Sequence, residues 1–421
     1  MMNKRDFLKA SSLIGLNSFL SFSALGRMLD QAANLPVDEL AKDDEFWTAV
    51  RGEYNLKKEY INLESGYYNI MPLPIQERYL QHIRDVNKLG AFYMRTMQAG
   101  NKKRVTSKLA QLAGCSSEEL IITRNTTESL DMIIAGLDWK RGDEAIMAEQ
   151  DYGAMLNMFR QVSERYGVVN KVLSVPQHPE NDDEIVSLYE KAITKKTRLL
   201  MICHMINITG HILPVQKICD MAHKHGVLVM VDGAHTFAHL DFKVPDLHAD
   251  FYGCSLHKWL SVPLGAGMLY VKKEHIKKIW PLLAEDKSQD DNILRLNHTG
   301  THPVATDLTI EDAIDFYNNL GPQKKEARLR YLQRYWTEQV RDIPNVILHT
   351  PADPKRACAI ANVGIKAISP ADMAKRLFDD YKIYTVAINN AGVHGCRITP
   401  NIFTTKDELD VLVEAIKAMA V

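Results

Sequence analysis

Lys258 stands inside "FYGCSLHKWLSVPLGAG" (residues 251–267), flanked by His257 and Trp259 and otherwise by small or apolar residues. A lysine is seldom placed in such company, because taking its ammonium out of water is costly. The same burial lowers its pKa and favours the neutral amine that condenses with an aldehyde. Asp232 closes an apolar run in "VMVDGAHT", Ser255 and His257 follow another, and Asn207 lies just past a third in "HMINITG". "TRNTTES" puts Asn125, Thr126 and Thr127 at a helix start, with Asn125 and Glu128 at capping-box spacing. Exposed N–H groups and hydroxyls at such a terminus make a natural phosphate site. One cofactor uses all of these groups. Pyridoxal phosphate needs a lysine for its aldehyde, a carboxylate to keep its pyridine nitrogen protonated, and a phosphate cradle. Lys258 and Asp232 suit the first two roles.

These residues must be carried by elements, and the chain supplies them in alternation. "ELIITR", "EAIMAEQ", "VVNKVLSV", "RLLMICHM", "VLVMVD", "ADFYGCS" and "GMLYV" read as strands. "TTESLDMIIAGL", the segment from Asp151 to Tyr166, and "PVQKICDMAHKHG" read as helices between them. "RLLMICHM" is apolar almost throughout, as expected of a strand buried on both faces. Such alternation predicts an α/β unit, a mainly parallel sheet covered by helices on both faces, with ligands at the strand ends. After residue 303 the pattern changes to the long helices "DLTIEDAIDFYNNLG" and "QKKEARLRYLQRYWTEQV". The strands "NVILHT", "ACAIANVGI" and "KIYTVAI" and a last helix, "TKDELDVLVEAIKAMA", then follow. This predicts a large unit over residues 61–302 and a smaller α+β unit made of residues 36–60 and 303–421.

The motifs "HKHGVLVMVDGAHT", "GCSLHKWLSVPLGAGMLYV" and "CRITPNIFTTKDELDVLVEAI" resemble the aminotransferase class V family of pyridoxal-phosphate enzymes. Within it they are most similar to the isopenicillin N epimerase-like and cysteine desulfurase-like groups. The resemblance runs from about Ile61 to the C-terminus. It implies the fold type I of pyridoxal-phosphate-dependent transferases, with a large seven-stranded-type sheet. Lys258 would be the Schiff-base lysine and Asp232 the partner of the pyridine nitrogen. His235 and Asn207 would lie near the ring's phenolic oxygen, and Ser255, His257, Thr126 and Thr127 would hold the phosphate. Tyr152, in "EQDYGAM", would stack on the ring. Thr301, in "TGTHP", would reach the phosphate from the other subunit of a homodimer. Arg397 would grip the substrate α-carboxylate, a role suited to its planar fork. Apart from the resemblance, Arg95 in "FYMRTM" is a candidate for contact with a distal group of the substrate.

The implied chemistry is proton removal from the α-carbon of an amino acid, with Lys258 as the base. Return of the proton decides among epimerisation, transamination and, with a leaving group, elimination as in C–S lyases and cysteine desulfurases. A non-catalytic cofactor-binding relative is the alternative of a different class, and the intact Lys258–Asp232 pair argues against it. Other features exclude other functions. The chain has 421 residues, 46% hydrophobic and 24% charged, with a formal net charge of −1, so no nucleic-acid footprint is expected. Its six cysteines fit neither a zinc pattern nor a disulfide scaffold and read as thiols. His235 and His239 are four apart in "HTFAH" without the glutamate of a metalloprotease helix, so no metal is expected. "PLGAG" lacks the full glycine fingerprint of a dinucleotide site. At the start, "NKRDFLKASSLIGLNSFLSFSAL" has the layout of an export signal over residues 1–25, with Lys4-Arg5 in place of twin arginines. It predicts a periplasmic or exported protein, with a cytoplasmic one as the alternative. No run predicts a membrane-spanning helix.

Overall fold

A computed structural model describes residues 26, 28–29, 35–283 and 291–421. The export signal expected over residues 1–25 lies outside the described residues. Among those described, no helix is long and apolar enough to cross a membrane.

Strand β1 (Ile61–Asn62) precedes seven strands that form one sheet. These are β2 (Leu120–Thr123), β3 (Glu144–Ala148), β4 (Val169–Leu173), β5 (Thr197–Cys203), β6 (Leu228–Asp232), β7 (Phe251–Ser255) and β8 (Gly267–Val271). Their order is β2-β8-β7-β6-β5-β3-β4, and only β8 runs against the rest. Alternate residues feed two separate cores, as the period of a strand requires. Ile121, Leu199, Met201, Met230 and Phe251 face one core. Leu120, Ile122, Leu200, Ile202, Val229 and Tyr252 face the other. The sheet is therefore covered on both sides, which explains why "RLLMICHM" carries almost no polar residue.

Two glycines let the helix Thr126–Gly136 lie close to this sheet. A Cβ on Gly253 would come within 2.8 Å of Leu130 and 2.9 Å of Ser129. One on Gly267 would lie 2.7 Å from the Asn125 backbone. The expected capping box at this helix is half made. The Asn125 side chain accepts from Glu128 N–H at 2.9 Å, but the Glu128 carboxylate turns to the backbone and guanidinium of Arg124.

Beyond residue 340 the strands are β9 (Val346–Leu348), β10 (Ala361–Ile365), β11 (Ile383–Tyr384), β12 (Val386–Asn390) and β13 (Val393–Ile398). An antiparallel sheet of order β12-β13-β10-β9 packs on a third core with the helices Pro322–Val340, Pro370–Tyr381 and Lys406–Ala420. The last helix starts with a complete capping box between Thr405 and Glu408. "KIYTVAI" was expected to be one strand and is two. The break falls at Thr385, whose hydroxyl donates to the Arg397 carbonyl, and β11 pairs instead with β1. β1 thereby ties the start of the expected large unit to the smaller unit, in a two-stranded sheet of its own. The helix Val304–Leu320, in turn, packs along the helices Leu73–Leu89 and Gln98–Ala113.

Candidate active site

The carboxyl ends of β5, β6 and β7 stand side by side, and the chemistry-bearing residues follow from that register. Asp232 ends β6 and Ser255 ends β7. After Ser255 the chain turns tightly. Leu256 N–H bonds Ala266 O, Val262 N–H returns to Leu256 O, and Ser261 adopts a left-handed φ of 59°. This fold-back presents Lys258 towards β6. Its Nζ lies 3.1 Å from His235 Nε2. Burial lowers the Lys258 pKa to about 8; the Arg397 cation acts in the same direction, and the Asp232 and Glu64 carboxylates oppose it. Asp232 is buried, and that burial raises its pKa against the Ala234 N–H, 2.9 Å from Oδ1, and the Lys258 charge. Asp232 thus accepts a local backbone N–H in the turn after β6 while its charge also acts on the lysine.

His235 is held neutral by burial first and by the nearby Lys258 and Arg397 charges. It meets the Lys258 amine as an acceptor. Its Nδ1 is buried without a protein partner, as is His257 Nδ1. Burial also lowers the His257 pKa to about 4. Four residues later His239 is fully engaged elsewhere. Its Nδ1 bonds the His235 carbonyl at 2.7 Å, its Nε2 accepts from Ala359 N–H at 3.1 Å, and its ring stacks on Trp259 at 3.7 Å.

The residues expected to hold the phosphate are brought together. Thr126 N–H donates to Ser255 Oγ at 3.0 Å, and the two hydroxyls lie 2.7 Å apart. Thr126 and Thr127 are the first two residues of their helix, so its positive dipole end meets the loop that begins at Ser255. Asn69 N–H bonds the His257 carbonyl at 3.2 Å and brings the segment after β1 over the same loop.

Arg397 arrives from β13, a strand absent from the sequence reading. "AGVHGCRIT" contains Gly395, and glycine weakens a strand pattern. The glycine is required by a close approach, since a Cβ there would lie 2.4 Å from Val363 O. Arg397 Nη1 donates to the Asn207 carbonyl at 3.2 Å, so Asn207 meets Arg397 through its backbone. The rest of the fork is bound to Glu64, with Nε at 3.3 Å from Oε2 and Nη2 on Oε1. Glu64 escaped the sequence reading. Its partner is far away in the chain, and its only local signal is a charge set between Leu63 and "SGYYN".

The remaining expected residues are less integrated. Tyr152 precedes the helix Gly153–Tyr166 with 47% of its surface exposed, available as an aromatic face. Thr301 is exposed in the segment before the helix Val304–Leu320. Arg95 is exposed on the helix Ala91–Thr96. All six cysteines are free thiols. Burial pushes Cys115, Cys358 and Cys396 up to about 12, and raises the others still further.

A lowered-pKa amine, a buried carboxylate with one backbone donor, a hydroxyl-lined helix terminus and two buried imidazole nitrogens lacking partners fit pyridoxal phosphate. Comparison with known proteins agrees. The family model "Aminotransferase class-V" matches residues 74–410. The chain therefore belongs to the aminotransferase class-V family and is a pyridoxal-phosphate-dependent enzyme of that family. Among its relatives, isopenicillin N epimerase of Streptomyces clavuligerus is 26% identical over 393 residues, covering 89% of this chain and 98% of that one. A probable cysteine desulfurase of Halalkalibacterium halodurans is 25% identical over 388 residues, covering 85% and 92%. The fold is similar to that of the apo cysteine desulfurase of Thermococcus onnurineus, with a TM-score of 0.78, 22% identity and coverage of 88% and 97%. It is also similar to the cystine C–S lyase C-DES solved with its product cysteine persulfide, with a TM-score of 0.76, 19% identity and coverage of 86% and 97%.

Proposed function

We propose that the enzyme acts at the α-carbon of an amino acid in the manner of an epimerase, with Lys258 as the proton-transfer base. The observation that carries this reading is convergence. The charges of Asp232, Arg397 and Glu64, brought from three separate segments, all act on the Lys258 amine. When bound, pyridoxal phosphate supplies an aldehyde for amines and a protonated ring that draws electron density from the α-carbon. The protein does the rest. Asp232 would keep the pyridine nitrogen protonated. Thr126, Thr127, Ser255 and His257 would hold the phosphate, His235 and Asn207 would serve the ring hydroxyl, and Tyr152 would offer the ring an aromatic face. Arg397 fixes the carboxylate, so the α-hydrogen is presented to Lys258 Nζ. With a pKa near 8, this amine exchanges a proton readily at physiological pH. His235, kept neutral, accepts from it and steadies its direction.

Sulfur abstraction by a protein thiol is disfavoured, because each of the six thiols is pushed well above its ordinary range and so away from the reactive thiolate. Elimination by a C–S lyase route needs no such thiol and is the second reading. Incubating the cofactor-loaded enzyme with a panel of amino acids in heavy water separates them. Deuterium at Cα with inversion supports the epimerase. A keto acid with aminated cofactor indicates an aminotransferase, and pyruvate with ammonia a lyase. No Cα exchange with any amino acid sinks the reading altogether.

The working unit in this proposal is a homodimer, with Thr301 reaching the partner's phosphate site. Support comes from the helix Leu73–Leu89, which buries only Ile75 and leaves Leu80, Ile83 and Leu89 exposed, with Phe92 just beyond. A monomer in sedimentation at micromolar concentration would refute this part. Export remains a proposal resting on residues 4–25, tested by locating the mature protein in fractionated cells.

A further inference from the structure

Arg397 is already matched by a carboxylate before any substrate arrives. Glu64 takes both donors of the Nε/Nη2 edge, the edge whose geometry suits a carboxylate fork. A third N–H goes to the Asn207 carbonyl. Of the five donors a guanidinium carries, three are thus engaged inside the protein. The surroundings hold this arrangement in place. Glu64 Oε2 also accepts from the Thr399 hydroxyl at 3.2 Å, and the Glu64 backbone bridges Thr399. A Cβ on Gly66 would sit 2.9 Å from Arg397 Cζ, so the chain closes over the guanidinium on that side. The side chains are 8% and 6% exposed, a pair shielded from solvent screening.

A purely structural ion pair would lie behind the site. This one reaches the site: Arg397 bonds the carbonyl of Asn207 just past β5, and Asn69, five residues after Glu64, bonds the carbonyl of His257 next to Lys258. We propose that Glu64 is a specificity-determining counter-charge that competes with the substrate carboxylate for the Arg397 guanidinium. The inference rests on the assignment of Arg397 as the substrate-carboxylate clamp. Its consequence is a site that binds a simple amino-acid carboxylate less tightly than an unpaired arginine would. More of the recognition then falls to the side chain of the substrate, and ordinary amino acids that share only the α-carboxylate are held weakly.

The test uses the full chain reconstituted with pyridoxal phosphate. Two probes are titrated, L-alanine followed through the cofactor's visible absorbance, and propionate, a carboxylate without an amine, by competition against it. Glu64→Gln and Glu64→Ala remove the competing charge with and without a side chain in its place. The expected result is tighter binding of both probes, about tenfold, in at least one of these variants, together with weaker binding in Arg397→Ala. If both Glu64 variants bind the probes no better than the parent while Arg397→Ala binds them worse, Glu64 merely orients the arginine. The inference then falls and the assignment of Arg397 stands. If Arg397→Ala binds both probes like the parent, the assignment and the inference fall together.

Discussion

Two lysines meet the chain at Trp259, Lys258 half-buried and Lys325 buried, and they differ in almost everything but a lowered pKa. Lys258 precedes the tryptophan in sequence, while Lys325, from the helix Pro322–Val340, donates to its carbonyl. Burial lowers the first pKa to about 8 and the second to about 7. Removal from water therefore does not by itself mark a catalytic amine. Lys258 has the Asp232 and Glu64 carboxylates, the Arg397 cation and the His235 acceptor around it. Lys325 has a carbonyl oxygen, the Tyr317 ring at 5.4 Å, and no carboxylate among the groups that shift it. The first is equipped to exchange protons with a ligand, and the second pins the loop that carries the first.

That contrast can be broken in graded ways. Lys258→Ala should lower turnover by about 10³-fold or more, whereas Lys325→Met should leave cofactor attachment intact. Rates and cofactor content of the two purified variants check this. Asp232→Asn should retain the fold and cost about 10²-fold in turnover, since it removes the charge proposed to keep the pyridine nitrogen protonated. Ser255→Ala should weaken cofactor affinity by about tenfold, the scale of a lost hydrogen bond to a charged group, read by equilibrium dialysis.

Stability against pH should also separate the lysines' environments. Lys325 has a folded pKa of about 7 against an ordinary 10.5, so between these values the unfolded chain binds the extra proton. Stability from this group therefore rises with pH through that window and is lost below it. From pH 7 to 9 the parent should gain on the order of 2 kcal/mol relative to Lys325→Met, measured by denaturant unfolding. Equal slopes would show that Lys325 is not the group responsible.

Much of this was legible in the sequence because the informative residues are local. Asp232, Ser255 and Lys258 lie at the ends of strands whose apolar runs announce them, and the helix at Thr126 carries its own cap. What escaped was set by distant pairing. β13 is masked by Gly395, whose missing side chain is needed only because β10 passes so close. Glu64 and Lys325 find their partners across hundreds and tens of residues, and no periodicity marks either. The bond from Arg397 to the Asn207 carbonyl also went unread, because it depends on the tertiary approach of β13.

The most direct test of the account is to find where the cofactor attaches. Protein reconstituted with pyridoxal phosphate, reduced with borohydride and digested should yield a single modified peptide, labelled at Lys258, and Lys258→Ala should yield none. A label on Lys325 or any other lysine in the parent, or no label at all, would contradict it.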